Sequence, residues 1–475
     1  MMGSNVKNAK NSLSTGMLVV LVANIFNLSL SLIRSFLLPK YLSIPAYADI
    51  KTYQLYLSYS SLLTFGYIDG MYLRYGGVDL QTTNQQELSE NLSTFRYFML
   101  GISVIISATG LIVKNAILVA MGMSVIAFKS IDYFQSLFQA IGRFSTYSAV
   151  MNIMSVLMFF ANIVLLFVLN EVEAKYYIVS YVLVYYVVWI FLEFKIHKIL
   201  KRNLFQHFSI HELTTSITDG FTLMLGTVLL VFLMEMDRWC VKLAMDTYSF
   251  ATYSFAVSSV GFLSYAISPI SVTLYSYFCR QEQSAEYPII RGEIILFNGL
   301  LISMAFPVLF ILENYLVKYS TAKNVVFILF ASQMITGTIL CFYVNLYKAH
   351  KMQRKYFSRI VLAVTVGLLL NILLYILLNT YEAFAFGTLF TSIIWMIACC
   401  IDHKEVCLSG KERVFILLLC VLFLGCGFCL KSYHGFIVYL LGYMLLSSTL
   451  LRKQFTIAIN QVKDIFRHVI ARLCN

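Results

Sequence analysis

The stretch 358–379 reads SRIVLAVTVGLLLNILLYILLN, and it decides the class of the chain. After Arg359 it contains no charged residue. A helix of about 20 mostly apolar residues is long enough to cross the roughly 30 Å hydrocarbon core of a bilayer. The next residues, 381–401, form a second apolar run of similar length. The pattern predicts two consecutive membrane-spanning helices.

Similar apolar runs recur along most of the chain, separated by short polar segments. By the length rule they predict about fourteen transmembrane helices, near 14–38, 47–68, 93–113, 116–140, 147–169, 175–193, 213–235, 247–275, 290–312, 325–347, 358–379, 381–401, 412–430 and 433–451. The first run lacks a small-residue cleavage site, so we expect it to be retained and not removed as a signal peptide. The predicted fold class is therefore an all-α polytopic membrane protein.

The spans fall into two sets of six, followed by two more. The second set starts about 200 residues after the first, and internal repeats of this kind are common in transporters. We predict an N-terminal six-helix lobe, a cytoplasmic amphipathic linker, a C-terminal six-helix lobe, two additional helices and an amphipathic tail, over residues 1–193, 194–212, 213–401, 402–451 and 452–475. In the tail, apolar residues at helical spacing oppose basic residues, as expected of a helix lying on the membrane surface.

The composition excludes a soluble protein. The chain is 60% hydrophobic and 12% charged, whereas soluble domains are roughly 45–50% apolar and about 25% charged. Its net charge of +12 is spread over many short segments, so we predict no nucleic-acid partner. Most of the ten cysteines lie in or beside apolar runs, where they behave as small hydrophobic residues. We assign no metal and no cofactor.

The basic residues predict the orientation. If the N-terminus is inside, about 24 of the 35 Lys and Arg fall in cytoplasmic segments and about 9 in external ones, as the positive-inside rule requires. Both termini are therefore predicted to be cytoplasmic.

Charged residues inside spans are candidates for function, because burying a charge in hydrocarbon costs several kcal/mol. Lys129 and Asp132 lie near the middle of the fourth span at i,i+3 spacing and share a helix face. They either handle substrate or protons, or form an ion pair that stabilises the bundle. Arg34 either points into a cavity or reaches outward to the membrane surface.

The seventh span carries a second charged cluster. Glu235 and Arg238 can pair at i,i+3, which leaves Asp237 to face elsewhere. Asp219 lies near the inner end of the same span. Asp132, Asp219 and Asp237 are the candidates for ion coupling. In the second span, Tyr53 and Tyr56 lie within one turn and are candidates for a wall that contacts sugar.

Absent motifs narrow the function further. The chain has no G-x-x-x-x-G-K-[ST] phosphate loop. All seven His lie outside the middle of the spans, and no external loop is long enough to form a catalytic domain. These absences argue against an enzyme and favour a transporter.

Several runs resemble the first helices of bacterial polysaccharide flippases, the exporters of O-antigen and capsule repeat units within the multidrug/oligosaccharidyl-lipid/polysaccharide exporter superfamily. The runs are LPKYLS at 38–43 with Tyr47, KTYQLY at 51–56, GYIDG at 66–70 and RYGG at 74–77. QAIGR at 139–143, Asp237-Arg238 and YSFA at 248–251 are also similar to family patterns.

The resemblance implies two six-helix lobes around a central cavity, alternating access, and an undecaprenyl-diphosphate-linked oligosaccharide as substrate. It places the chain in the bacterial inner membrane, in lipopolysaccharide or capsule biosynthesis, with a polysaccharide polymerase and chain-length proteins as further partners. Arg34, Lys129 and Arg238 fit the role of holding the diphosphate. The alternatives are a cation-coupled drug exporter of the same superfamily, for which Asp132 argues, and a membrane-embedded polysaccharide polymerase or ligase.

Overall fold

The computed structural model describes residues 26–27, 29–76, 84–141, 143–200, 207–280 and 286–460. Every long element is an α-helix. Within these residues twelve helices are long and apolar enough to cross a membrane. The predicted fold class, an all-α polytopic membrane protein, is confirmed.

The N-terminal helices begin with α1 (29–41). The helices α2 to α7 follow, over Ile44–Ser58, Tyr67–Tyr75, Gln85–Ile112, Ala116–Ala140, Phe144–Ile163 and Ala174–Leu200. A π-helical turn, Val164–Val168, extends α6. The long helix α8 spans Ile210–Ala244.

The remaining helices α9 to α18 span Thr247–Gly261, Leu263–Arg280, Tyr287–Leu301, Ala305–Asn314, Lys323–Thr338, Val344–Ala349, Gln353–Leu378, Glu382–Asp402, Gly410–Cys429 and Ser432–Leu450. A final described helix, α19, covers 452–460. Helix α17 packs against α11 and α13, and α18 packs against α11 and α12. Helix α13 is buried along nearly its whole length.

Of the first two predicted spans, one is largely untested and the other differs from the expectation. The first, 14–38, lies largely outside the described residues, although its described part is helical. The second, 47–68, is interrupted: α2 ends at Ser58, a 3₁₀ turn covers Ser60–Thr64, and α3 starts at Tyr67. Phe65 and Gly66 have φ angles of 50° and 89°, a left-handed conformation that a continuous helix cannot contain.

Glycine is required where α3 meets α8. A methyl group added at Gly70 would lie 2.0 Å from the carbonyl oxygen of Ser216. One added at Gly220 would lie 2.0 Å from the carbonyl oxygen of Gly66. The two helices are therefore in backbone contact, which fixes α3 after the break.

The chain forms two compact units, Met1–Phe232 and Leu233–Asn475, and the division falls inside α8. The predicted domain limits remain predictions. Of the predicted linker 194–212, residues up to Leu200 continue α7 and residues 201–206 lie outside the described part. Of the predicted tail 452–475, residues 461–475 lie outside it as well.

Candidate functional site

The predicted pair in the fourth span is present in the first unit. Lys129 lies on α5 and is 3% exposed. Its Nζ donates to Asp132 Oδ2 at 2.7 Å and to the Ser61 hydroxyl at 3.0 Å. An ammonium group has three N–H donors, so within the described part of the chain one donor has no partner and can serve a ligand. The Phe128 ring centroid lies 5.0 Å from Nζ and adds a cation–π contact.

Lys129 and Asp132 line a cavity of about 230 Å³ within the first unit. Most of its lining is polar: hydroxyls, amides and the carboxyl group of Asp69, with Ser61, Thr64, Gln135, Ser136, Gln139, Tyr147 and Thr227 among the lining residues. One ammonium group thus faces two carboxyl groups. A polar cavity at the middle of a membrane-spanning helix is the arrangement expected of a path for a polar or charged substrate.

The break in the second span builds one wall of this cavity. Ser61 and Thr64 belong to the 3₁₀ turn, and Asp69 lies in the first turn of α3. A 3₁₀ turn followed by a left-handed link turns the chain away from a regular helix. As a result, three polar side chains within nine residues face α5 at one site.

The charged cluster on α8 is in the second unit and is paired as predicted. Arg238 Nη1 lies 2.6 Å from Glu235 Oε2, and Asp237 faces elsewhere. Asp237 is 3% exposed. Its carboxylate accepts from the hydroxyls of Tyr253 at 2.6 Å and Thr388 at 3.2 Å. Asp237 and Glu235 line a second cavity of about 270 Å³.

The other predicted site residues lie apart from these cavities. Tyr53 is fully buried, and its hydroxyl is 2.5 Å from that of Ser124, so it packs α2 against α5. Tyr56 is half-buried on α2, and Arg34 is half-buried on α1. Neither lines the cavity around Lys129. Asp219 is half-exposed and lies 3.9 Å from Arg74 Nη2.

Comparison with known proteins gives relatives by structure alone. No family model and no curated protein matches the sequence. A structure of the lipid II flippase MurJ in an inward closed conformation superposes with a TM-score of 0.66 at 12% identity, covering 92% of this chain and 100% of that one. An inward-facing multidrug resistance MATE family transporter of the MOP superfamily superposes with a TM-score of 0.59 at 11% identity, covering 82% and 98%. The chain shares the fold of these two structures.

The resemblance predicted a fold of this kind, and the likeness in fold to these two structures supports that part of the prediction. By their names one neighbour is a lipid II flippase and the other a multidrug resistance transporter. At 11–12% identity the likeness covers the fold and not the substrate.

Three polar features of the structure were not predicted from the sequence. Asp69, within the GYIDG run at 66–70, was not predicted as a site residue, although it supplies the second carboxyl group of the cavity. Arg74 pairs with Glu212, and its Nη1 also lies 3.8 Å from Glu87 Oε1. The third feature is Asn371 on α15, which is fully buried with no hydrogen-bond partner for either amide atom among the described residues.

The sequence does contain a hint that points to Asn371. Asn371 is the one amide in an otherwise apolar run of α15, and a buried amide without partners is costly unless a ligand or water satisfies it.

Proposed function

We propose that the chain translocates an undecaprenyl-diphosphate-linked oligosaccharide across the inner membrane by alternating access, in the biosynthesis of a surface polysaccharide such as O-antigen or capsule. The observation that carries the proposal is the buried Lys129 ammonium, which faces a polar cavity and bonds only Ser61 and Asp132 among the residues that the structure describes, so that one of its three N–H donors is unused there. The fold, shared with a structure named as a lipid II flippase, supports it.

The geometry suggests how substrate and ion are coupled. Asp132 neutralises Lys129 when no substrate is bound. A diphosphate that binds the third N–H shares the positive charge of the ammonium group with this carboxylate, which stabilises the Asp132 anion less than before. Asp132 then becomes available to a proton or a cation, with Asp69 as a second carboxyl beside it. Arg34 and Arg238 are proposed as further contacts for the diphosphate, Tyr53 and Tyr56 as sugar contacts, and Asp219 and Asp237 as further coupling groups.

One observation favours the alternative of a cation-coupled drug exporter. Carboxyl groups outnumber the ammonium group in the first cavity, and the second cavity is lined by Glu235 and Asp237 with no basic residue among its lining. Acidic groups at the middle of spans suit a cationic substrate.

Reconstitution in liposomes separates the two functions. We expect purified chain to move a diphosphate-linked oligosaccharyl lipid to the opposite leaflet, measured as the fraction of sugar that becomes accessible to an added lectin. Export of a cationic dye under an imposed proton or sodium gradient should stay at the level of empty liposomes. Export of the dye without movement of the lipid would show that the chain functions as a drug exporter instead.

The proposed orientation, with both termini in the cytoplasm of an inner-membrane protein, predicts thiol labelling. Glu173→Cys and Arg354→Cys both place a thiol at an exposed position. A membrane-impermeant maleimide added to intact spheroplasts should label the first and not the second, in a background where the exposed Cys279 and Cys429 are replaced by Ser. Labelling of Arg354→Cys without labelling of Glu173→Cys would show that the orientation is the opposite of the one proposed.

A further inference from the structure

A basic cleft lies in the second unit where α17 begins and α18 ends. It has a volume of about 760 Å³ and is lined by Lys411, Arg452 and Lys453, with the hydroxyl side chains of Ser409, Thr449 and Thr456. The described residues that line it include no carboxyl group. Among the described residues none of the three basic side chains pairs with a carboxylate. Within the described ranges the cleft therefore carries three positive charges that no carboxylate balances.

The neighbouring acid is held away from this cleft. Glu412, next in sequence to Lys411, is 1% exposed and pairs with Arg291 of α11 at 2.7 Å. The same carboxylate accepts from the Ser409 backbone N–H at 2.7 Å, which closes a capping box at the start of α17. On the other side of the cleft, Gln454 packs directly on Gly292. The first turns of α17 and α19 therefore both contact α11.

The cleft lies at the depth of lipid headgroups. Both α17 and α18 are spans of about 20 residues, so the start of the first and the end of the second lie at the boundary between hydrocarbon and water. Exposed apolar residues continue from the cleft along the same helix faces. Val414 and Leu418 follow Lys411 at i+3 and i+7, and Leu441 and Leu445 precede Thr449 at i−8 and i−4.

We propose that this cleft binds the phosphate headgroup of an anionic phospholipid. Lys411, Arg452 and Lys453 contact the phosphate oxygens, and the hydroxyls donate further hydrogen bonds. The acyl chains run along the exposed apolar faces of α17 and α18. A basic pocket at the end of transmembrane helices is a known form of anionic-lipid recognition. The proposal is independent of the transported substrate.

The test measures lipids retained by the purified full-length chain with native mass spectrometry. The chain is equilibrated in detergent with phosphatidylglycerol and phosphatidylcholine at equal concentrations. We expect the wild-type chain to retain phosphatidylglycerol preferentially. In K411Q/R452Q/K453Q this preference should fall about tenfold or more, since each basic residue near a lipid headgroup contributes several-fold. K411R/K453R should keep it, because the charges remain.

A matched control removes the same charge elsewhere. K114Q/K175Q/K431Q replaces three exposed lysines in segments predicted to be external, outside the lining of the cleft, and should leave the preference unchanged. The proposal is overturned if the wild-type chain shows no preference, or if both triple variants lose it equally, which would mean a general effect of net charge. It is also overturned if inorganic phosphate displaces phosphatidylglycerol at equal concentration, because the site would then take free phosphate.

Discussion

A Lys129→Ala chain is expected to reach the membrane in normal amount and to lose at least about nine-tenths of its transport activity. The substitution removes the ammonium group that faces the cavity and its remaining N–H. A hydrogen bond to a charged group contributes about 1.5–3 kcal/mol, which corresponds to a factor of about 10 to 100 in affinity. Surface polysaccharide output at equal protein level, together with accumulation of the lipid-linked precursor, measures the effect.

Two control variants separate charge from folding. Ser61→Ala removes the other partner of the ammonium group and keeps the charge, so output should fall less than threefold. Lys129→Arg retains a cation and should keep a measurable part of the activity. The assignment of Lys129 to substrate binding is wrong if Lys129→Ala and Ser61→Ala give the same output.

The second large effect concerns stability. Arg291→Met should lower the free energy of unfolding by about 3–5 kcal/mol, because it leaves the carboxylate of Glu412 buried without its partner. Arg291 also donates to the backbone carbonyl of Val406, and this bond is lost too. Thermal unfolding of the detergent-purified chain measures the change.

Two further variants test the cause. Arg291→Met combined with Glu412→Gln should recover most of the loss, because a neutral amide costs less to bury than a carboxylate and still accepts from Ser409. Arg359→Met breaks the ion pair between Arg359 and Asp402. Because the Arg359 side chain is 26% exposed, this substitution should lower the free energy of unfolding clearly less than Arg291→Met. If it costs as much as Arg291→Met, burial is not the cause.

The spans after the second were predictable because hydropathy reports burial in hydrocarbon directly. The helix Glu382–Asp402 matches the predicted 381–401 within a residue. The break after Ser58 was not predictable in this way, since Ser60–Thr64 and its flanks stay apolar enough to read as one span. What interrupts the helix is a left-handed link at Phe65 and Gly66, and hydropathy carries no information about φ.

The candidate site was predictable to the extent that it depends on one helix. Lys129 and Asp132 share a face of α5 because they are three residues apart, and they pair. The cavity also needs Asp69 and Thr227 from other helices, and sequence spacing cannot give contacts between helices. Tyr53 gives another example. Its hydroxyl lies 2.5 Å from that of Ser124 on α5, a contact between helices that the spacing within α2 could not predict.

The backbone contact of α3 with α8 has a mechanical consequence. Helices that touch through Gly66, Gly70 and Gly220 cannot slide or rotate against each other without a clash, so we expect α3 and the first half of α8 to behave as a single rigid lever. The adjacent 3₁₀ turn, in which Ser61 accepts from Lys129, joins this rigid body to α2. We therefore expect any movement of α3 relative to α2 to occur at this turn and to change the contact between Ser61 and the ammonium group.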